Sequence, residues 1–469
     1  MDEKIVGQFE DRLLRHMPTP STTEPTPLTP AFVAELHERF ETVPSNVVAR
    51  NGMTSANWYD IVVDRREVQR LTHTFSKKLP DAKVCNQNET GRCWLFAAST
   101  LLRRALQTKY NLEPDFEISQ NFFYFYDKLE KCNYFLENIL ATASEPADAR
   151  IVHHFLADPT NDGGQWDMLV NIVNKYGAVP KNVYGEAKCT EDSERLNLFL
   201  GLKLRDFAAE LRQLHATGAD AQALAKAKLS MVEICHRILT IFLGSPPTHF
   251  DFETHDKDEA YVAVLDCTPL SFVRDVVPIQ LNDYVSIVND PRHAYGSILT
   301  VERLGNVVEG NPIRYLNLPI ADLASYAKAQ LDDDVPVWFG CDCDADSELE
   351  QYGIYSKQLY AMDAVFGTRW SMNKKERMEY QNGSMTHAMV FTGYSAAPGQ
   401  TVPSKWKVEN SWGKKRGDAG YDVMTADWFD EHMYQVVVLR KYLTPAHREL
   451  WETGTPLVLP VWDPMGNCL

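Results

Sequence analysis

Residues 87–100 read QNETGRCWLFAAST, and this stretch decides how the rest of the chain is understood. A polar, turn-rich segment stands directly before Cys93, and the apolar run from Trp94 to Ala98 then continues as LLRRALQTKY. A helix that starts at Cys93 buries Leu95, Ala98 and Leu102 and leaves the thiol at its positive end. Unpaired backbone N–H groups and the helix dipole favour a thiolate there, which is the form a nucleophilic cysteine needs. Gln87 stands just upstream, where its amide can point at the oxygen of an attacked carbonyl. A cysteine at a helix start, taken alone, is more often a buried structural thiol. Two distant segments turn the reading toward chemistry.

The first is SMTHAMVFTGY, residues 384–394, in which Met385, His387, Met389 and Phe391 alternate with smaller residues. It predicts a strand whose exposed end delivers His387. The second is KWKVENSWGKKRGDAGYDVM, residues 405–424, read as a strand, a tight turn at SWG and a returning strand. Asn410 then sits at the end of the first strand. Strands adjacent in sequence commonly neighbour each other in space, so His387 and Asn410 are expected side by side. The roles fit three residues acting together. Cys93 attacks a carbonyl as thiolate, and His387 holds the proton and returns it to the leaving amine. Asn410 accepts from the other ring nitrogen and fixes the imidazole. Gln87 and the Cys93 N–H supply an oxyanion hole, and Trp412 shields the His387–Asn410 bond from water.

Outward from this constellation the chain is that of an ordinary globular protein. Its 469 residues are 44% hydrophobic, enough for a large core, and its formal charge of −17 argues against broad binding to nucleic acid or anionic membrane. No apolar run reaches membrane-spanning length and no basic-plus-apolar leader opens the chain, which points to a cytoplasmic protein. The nine cysteines are an odd number at low density, expected as reduced thiols. The opening MDEKIVGQFEDRLL reads as a short amphipathic helix, and PTPSTTEPTPLTP as a linker or arm before a helix near 31–40. IVVDRR is expected as a strand, and Ser119 as the cap of an aromatic helix. NDGGQWD is a turn opening a further helix, and Gly163 and Gly164 serve either that turn or the close approach of a substrate backbone. Residues 193–216 and 222–243 carry helical periodicity and predict two antiparallel helices. Strands dominate from 250 to 308. CDCDADSELE, residues 341–350, is expected as a solvated acidic loop, since its paired thiols are too close in sequence for a zinc site. No metal or cofactor is expected anywhere.

NETGRCWLFA, NDGGQWDM, KYGAVPK, GSPPTHFDFETHDKDEA, THAMVFTGY, VENSWG and LPVWDPMG together resemble the bleomycin hydrolase and aminopeptidase C family of papain-like cysteine peptidases. The likeness runs over nearly the whole chain. It implies an α+β, papain-like fold with helical and hook-like insertions, because the chain between Cys93 and His387 is far longer than a papain-like core requires. The expected layout is an N-terminal arm and Pro-rich linker over 1–45 and a helical, nucleophile-bearing part over 46–192. A helical insertion over 193–250, a strand-rich part with oligomerisation elements over 251–375, and the His/Asn strands over 376–455 follow. A C-terminal arm over 456–469 lies in the cleft, extended because Pro464 and Gly466 disfavour a helix. The resemblance implies Cys93, His387, Asn410 and Gln87 as catalytic residues, and Gly163, Gly164, Trp412 and Leu469 as substrate-binding ones. It implies an aminopeptidase acting on peptides and aminoacyl amides, assembled as a homo-hexamer. A papain-like endopeptidase and an inactive structural or nucleic-acid-binding homologue are the alternatives.

Overall fold

The computed structural model describes residues 25–400 and 402–467. The expected N-terminal amphipathic helix, most of the Pro-rich arm and Leu469 lie outside them.

By its contacts the chain divides into two units. The smaller takes the residues up to Leu71 together with Lys357–Met372. Within it IVVDRR is not a strand. Asn57 accepts from the Tyr59 N–H at 3.1 Å and starts a helix over Trp58–Val62, and Asp64 accepts from the Arg66 N–H at 2.9 Å and starts another over Arg65–Arg70. Two caps within one short run outweigh the β preference of Ile61, Val62 and Val63. Val63 keeps only an isolated bridge to Tyr360.

The larger unit, Thr72–Ser356 with Asn373–Leu469, carries the site. Its frame is a sheet of twelve strands among the described residues. Five of them matter here: β1 (Val337–Cys341), β2 (His387–Ser395), β3 (Lys405–Glu409), β4 (Tyr421–Thr425) and β5 (Met433–Leu439). They lie in the order β5-β1-β2-β3-β4, with antiparallel neighbours throughout. Strand alternation sends Ala388 and Val390 of β2 to one apolar core and Met389 and Phe391 to a second.

Helices fill the first core. α1 (Cys93–Tyr110) is buried on every side from Cys93 to Arg104, as its unbroken apolar run requires, and it ends at Asn111 in the left-handed conformation, φ 52°. α2 (Gln120–Ala141) starts where Ser119 accepts from the Phe122 N–H at 3.1 Å. α3 (Trp166–Tyr176) follows the double glycine. α4 (Glu194–Ala216) and α5 (Ala221–Leu243) form the expected antiparallel pair, the second capped by Asp220. Their buried faces, Leu196, Leu200, Met231 and Leu239 among them, belong to the same core as α1 and α2.

Two further expectations are corrected. Cys341 ends β1, and Asp342 and Cys343 after it are buried too, so only the part from Asp344 onward meets solvent. The flanking strands β2 and β5 close over that end of β1. The C-terminal residues are not wholly extended: Pro464–Gly466 make one 3₁₀ turn, for which Asp463 accepts from the Met465 N–H at 2.8 Å. Proline is compatible with the first position of such a turn.

Candidate active site

Cys93 is the first residue of α1, and what holds it there is the turn before it. The Arg92 guanidinium is fully buried, bonded to Glu186 at 2.9 Å and to the Thr190 carbonyl at 2.7 Å. Trp94 donates from its indole to the Asp162 carbonyl at 2.8 Å. Asp162 itself gathers the Gly91 N–H at 3.2 Å, the Tyr124 hydroxyl at 2.9 Å, the Lys128 ammonium at 2.7 Å, the Asn197 amide at 2.8 Å and the Ser193 hydroxyl. One buried carboxylate thus ties the cysteine turn to α2 and α4. On the far face of α1, Arg103 and Arg104 both pair with Glu409, the last residue of β3. The cysteine helix is thereby fixed to the strand that ends immediately before Asn410.

His387 opens β2, opposite Cys341. Its Nε2 lies 2.9 Å from Asn410 Oδ1. The Ser411 N–H donates to that same oxygen at 2.7 Å, and Asn410 Nδ2 donates to Asp422 at 3.3 Å, so the amide's orientation is fixed from both ends. With Asn410 accepting, Nε2 carries the imidazole's proton and Nδ1 is the nitrogen free to receive another. Trp412 stacks on the ring, centroids 4.7 Å apart and planes 27° apart. His387 is therefore not at an exposed strand end; it is 4% exposed.

The Cys93 sulfur is next to the N–H of Ala388, the residue after His387. That contact joins the two segments on which the reading depends. Burial pushes the Cys93 thiol up to about 11, and the N–H groups of Ala388, Trp94 and Cys93 itself pull it down. The helix start acts in the expected direction, but burial outweighs it. Burial likewise pushes His387 down to about 4, against the Asn410 hydrogen bond and the Asp344 charge. Each group buried singly prefers to be neutral, so a thiolate here is stabilised by the imidazolium formed with it.

Gln87 is buried beside this arrangement. Its Oε1 accepts from the Ser411 hydroxyl at 2.6 Å and its Nε2 donates to the Thr90 carbonyl at 2.6 Å, leaving one amide hydrogen uncommitted. Gly164 has a packing reason: a Cβ there would meet the Trp94 ring at 2.6 Å. Gly163 gives its carbonyl to Lys131 at 2.5 Å. Immediately after the pair, Gln165 Nε2 donates to the carbonyl of Asn467 at 2.9 Å, which brings the last described residue to this loop. An open cavity of about 530 Å³ adjoins it, lined by Lys131, Tyr134, Phe155, Met168, Thr386 and Asn467 among others. Cys93 and His387 are not part of that lining. Among the described residues no three His, Cys, Asp or Glu side chains gather as a metal site.

Sequence reading did not single out Ser411, Asp162, the Arg103–Glu409–Arg104 triad or Asp422. The visible signal was charge in the wrong place: LLRRALQ inside a buried helix, and an acid inside the strand YDVMT.

Comparison with known proteins agrees with this geometry. The model of the Peptidase C1-like family matches residues 27–466. A bleomycin hydrolase of Gallus gallus is 41% identical over 443 residues, covering 92% of this chain and 97% of that one. The chain belongs to the Peptidase C1-like family. Another relative in the comparison is an aminopeptidase C of Listeria monocytogenes serovar 1/2a, 42% identical over 397 residues, 84% of this chain and 88% of the relative. The crystal structure of PepW from Lactobacillus rhamnosis hn001 superposes with a TM-score of 0.91 at 40% identity, covering 95% of this chain and all of that one. Membership of the Peptidase C1-like family, with these relatives, makes the protein a cysteine-type peptidase of mixed α+β, papain-like fold.

Proposed function

We propose that this peptidase is an aminopeptidase that removes N-terminal residues from peptides and aminoacyl amides, with Cys93 as nucleophile and His387 as proton carrier. Asn410 fixes the imidazole so that Nδ1 faces the sulfur. The proton moves from Cys93 to His387, the thiolate adds to the carbonyl carbon, and His387 returns the proton to the leaving amine. Water then hydrolyses the thioester, with His387 accepting its proton. The Cys93 N–H and the uncommitted amide hydrogen of Gln87 receive the developing oxyanion. Trp412 keeps water from the His387–Asn410 bond.

The observation that carries the aminopeptidase reading is the Gln165–Asn467 hydrogen bond, which brings the end of the chain to the Gly163–Gly164 loop. A terminal carboxylate near that loop blocks one side of the cleft and attracts a substrate ammonium, so a chain continuing past it is rejected. Gly163, Gly164 and Leu469 are the substrate-binding residues of this reading. Deleting Gly466–Leu469 should weaken cleavage of single-residue aminoacyl amides and raise cleavage of N-terminally blocked peptides. An unchanged ratio of the two activities rejects the aminopeptidase mechanism and leaves an endopeptidase.

The protein also belongs, in this reading, to the cytoplasm and to a homo-hexamer. Phe199, Leu229, Ile241, Tyr261 and Leu265 on the helical pair and the following hairpin are more than half exposed, a surface suited to subunit contact. A monodisperse monomer in sedimentation velocity, at concentrations where the enzyme is active, rejects the assembly.

A further inference from the structure

Asp422 is the second residue of β4 and is 2% exposed. Buried carboxylates are paired with a cation in most proteins, because the desolvation cost is otherwise large. This one is not. The groups facing it are Asn410 at the end of β3, Glu348 and Tyr355 on the two short strands beyond β4, and Arg416 in the β3–β4 loop. Arg416 acts only at a distance; its guanidinium lies over Trp412, and its nearest acid is Glu350 at 3.7 Å. Burial accordingly pushes the carboxyl up to about 8, with Asn410 and Arg416 pulling it down and Glu348 adding to the rise. The backbone is built around the group. A Cβ at Gly353 or Gly417 would meet its Oδ1 at 2.7 Å or 2.5 Å, and both glycines have positive φ. The hydrogen bond it accepts comes from Asn410 Nδ2, the end of that amide away from His387.

We propose that Asp422 is a positioning residue of the peptidase reaction, holding Asn410 with its oxygen toward His387 and, as a carboxylate, stabilising the imidazolium through that amide. This rests on the assignment of Cys93, His387 and Asn410 above. A carboxylate can only accept, so it selects the amide orientation in which Nδ2 faces it and Oδ1 faces the ring. Its charge polarises the amide and increases the negative charge that Oδ1 presents to Nε2–H. The proton on His387 is then held to higher pH, and the thiolate–imidazolium pair persists over a wider range. An asparagine at the same place still accepts from Asn410 but carries no charge.

The test is the pH dependence of Cys93 alkylation by iodoacetamide, read by mass at Cys93, with kcat and KM on an aminoacyl amide. It uses the full-length enzyme and its Asp422→Asn and Asp422→Ala variants. Asp422→Asn should keep kcat near the wild-type value at the optimum but bring the alkaline limb of both profiles down by about half a pH unit or more. Asp422→Ala, which frees the amide, should lower kcat by about tenfold with KM little changed. An alkaline limb that is unmoved or moved upward in Asp422→Asn overturns the proposal, whether or not Asp422→Ala folds. Retained kcat in a folded Asp422→Ala overturns it equally. If the assignment of the reacting residues were at fault instead, wild-type labelling would fall on another cysteine.

Discussion

The Trp94 indole fills the space that a side chain at Gly164 would need, with ring carbons 2.6 Å from the position of such a Cβ. The ring has no freedom to withdraw, because its nitrogen donates to the Asp162 carbonyl and the whole side chain is buried. Gly164→Ala should therefore cost about 1–3 kcal/mol or more of stability and shift the start of α1. Thermal unfolding and titration of the reactive thiol would measure both. A variant as stable and as reactive as the wild type would show that the loop yields easily.

Gln87 is held by Ser411, and Ser411 is also the N–H donor to Asn410. Gln87→Ala should lower kcat by about 10²–10³ if it supplies one oxyanion donor. Ser411→Ala leaves the backbone donor in place and removes only the hydroxyl, so its loss of kcat should be smaller and in the same direction. Steady-state kinetics on one amide substrate distinguishes the two; equal losses would place Ser411 in the chemistry itself.

The Arg103–Glu409–Arg104 cluster joins the cysteine helix to the strand that leads into Asn410. Glu409→Gln leaves two buried guanidinium groups without their counter-charge, which costs about 3–5 kcal/mol when such pairs are broken. Chemical denaturation should show that loss. A midpoint within error of the wild type would mean the arginines find other partners.

Asp162 gives a pH dependence of known sign. Burial works to raise its carboxyl, but the Lys128 charge and the hydrogen bonds from Lys128, Ser193 and Asn197 hold it well below the usual carboxylate range. A depressed carboxylate contributes stability above its unfolded value, about 3.9, and loses that contribution as pH falls through the folded value. Stability should fall with acid below about pH 4, and Asp162→Asn, already destabilised, should show a flatter dependence there. Unfolding midpoints for both proteins between about pH 5 and 2 check this. Parallel curves would remove Asp162 from the account.

Much of this was legible in the chain. The helix start at Cys93, the Ser119 cap, the paired helices of 193–243, and the strands bearing His387 and Asn410 all follow from local pattern and from residues within a few positions. What was not legible came from contacts remote in sequence. Burial of His387 depends on Trp412 turning back over it, and burial of Cys93 reverses the balance that the helix start alone would set. The acids Asp162, Glu409 and Asp422 look like surface residues until the sheet and helices close around them. At Ile61–Arg66 the failure was local: two capping side chains overrode a β-branched run.

The central claim is that Cys93 is the nucleophile, and its most direct test is stoichiometric labelling. The enzyme is treated at pH 7 with a thiol-directed peptidyl reagent, digested and mapped by mass, and its residual peptidase activity is measured in parallel. The account predicts one label per chain, on Cys93, with activity lost in proportion to labelling, and no label on a folded Cys93→Ala variant, which is inactive. Proportionate loss of activity with the label on any other cysteine, or normal turnover by Cys93→Ala, would contradict it.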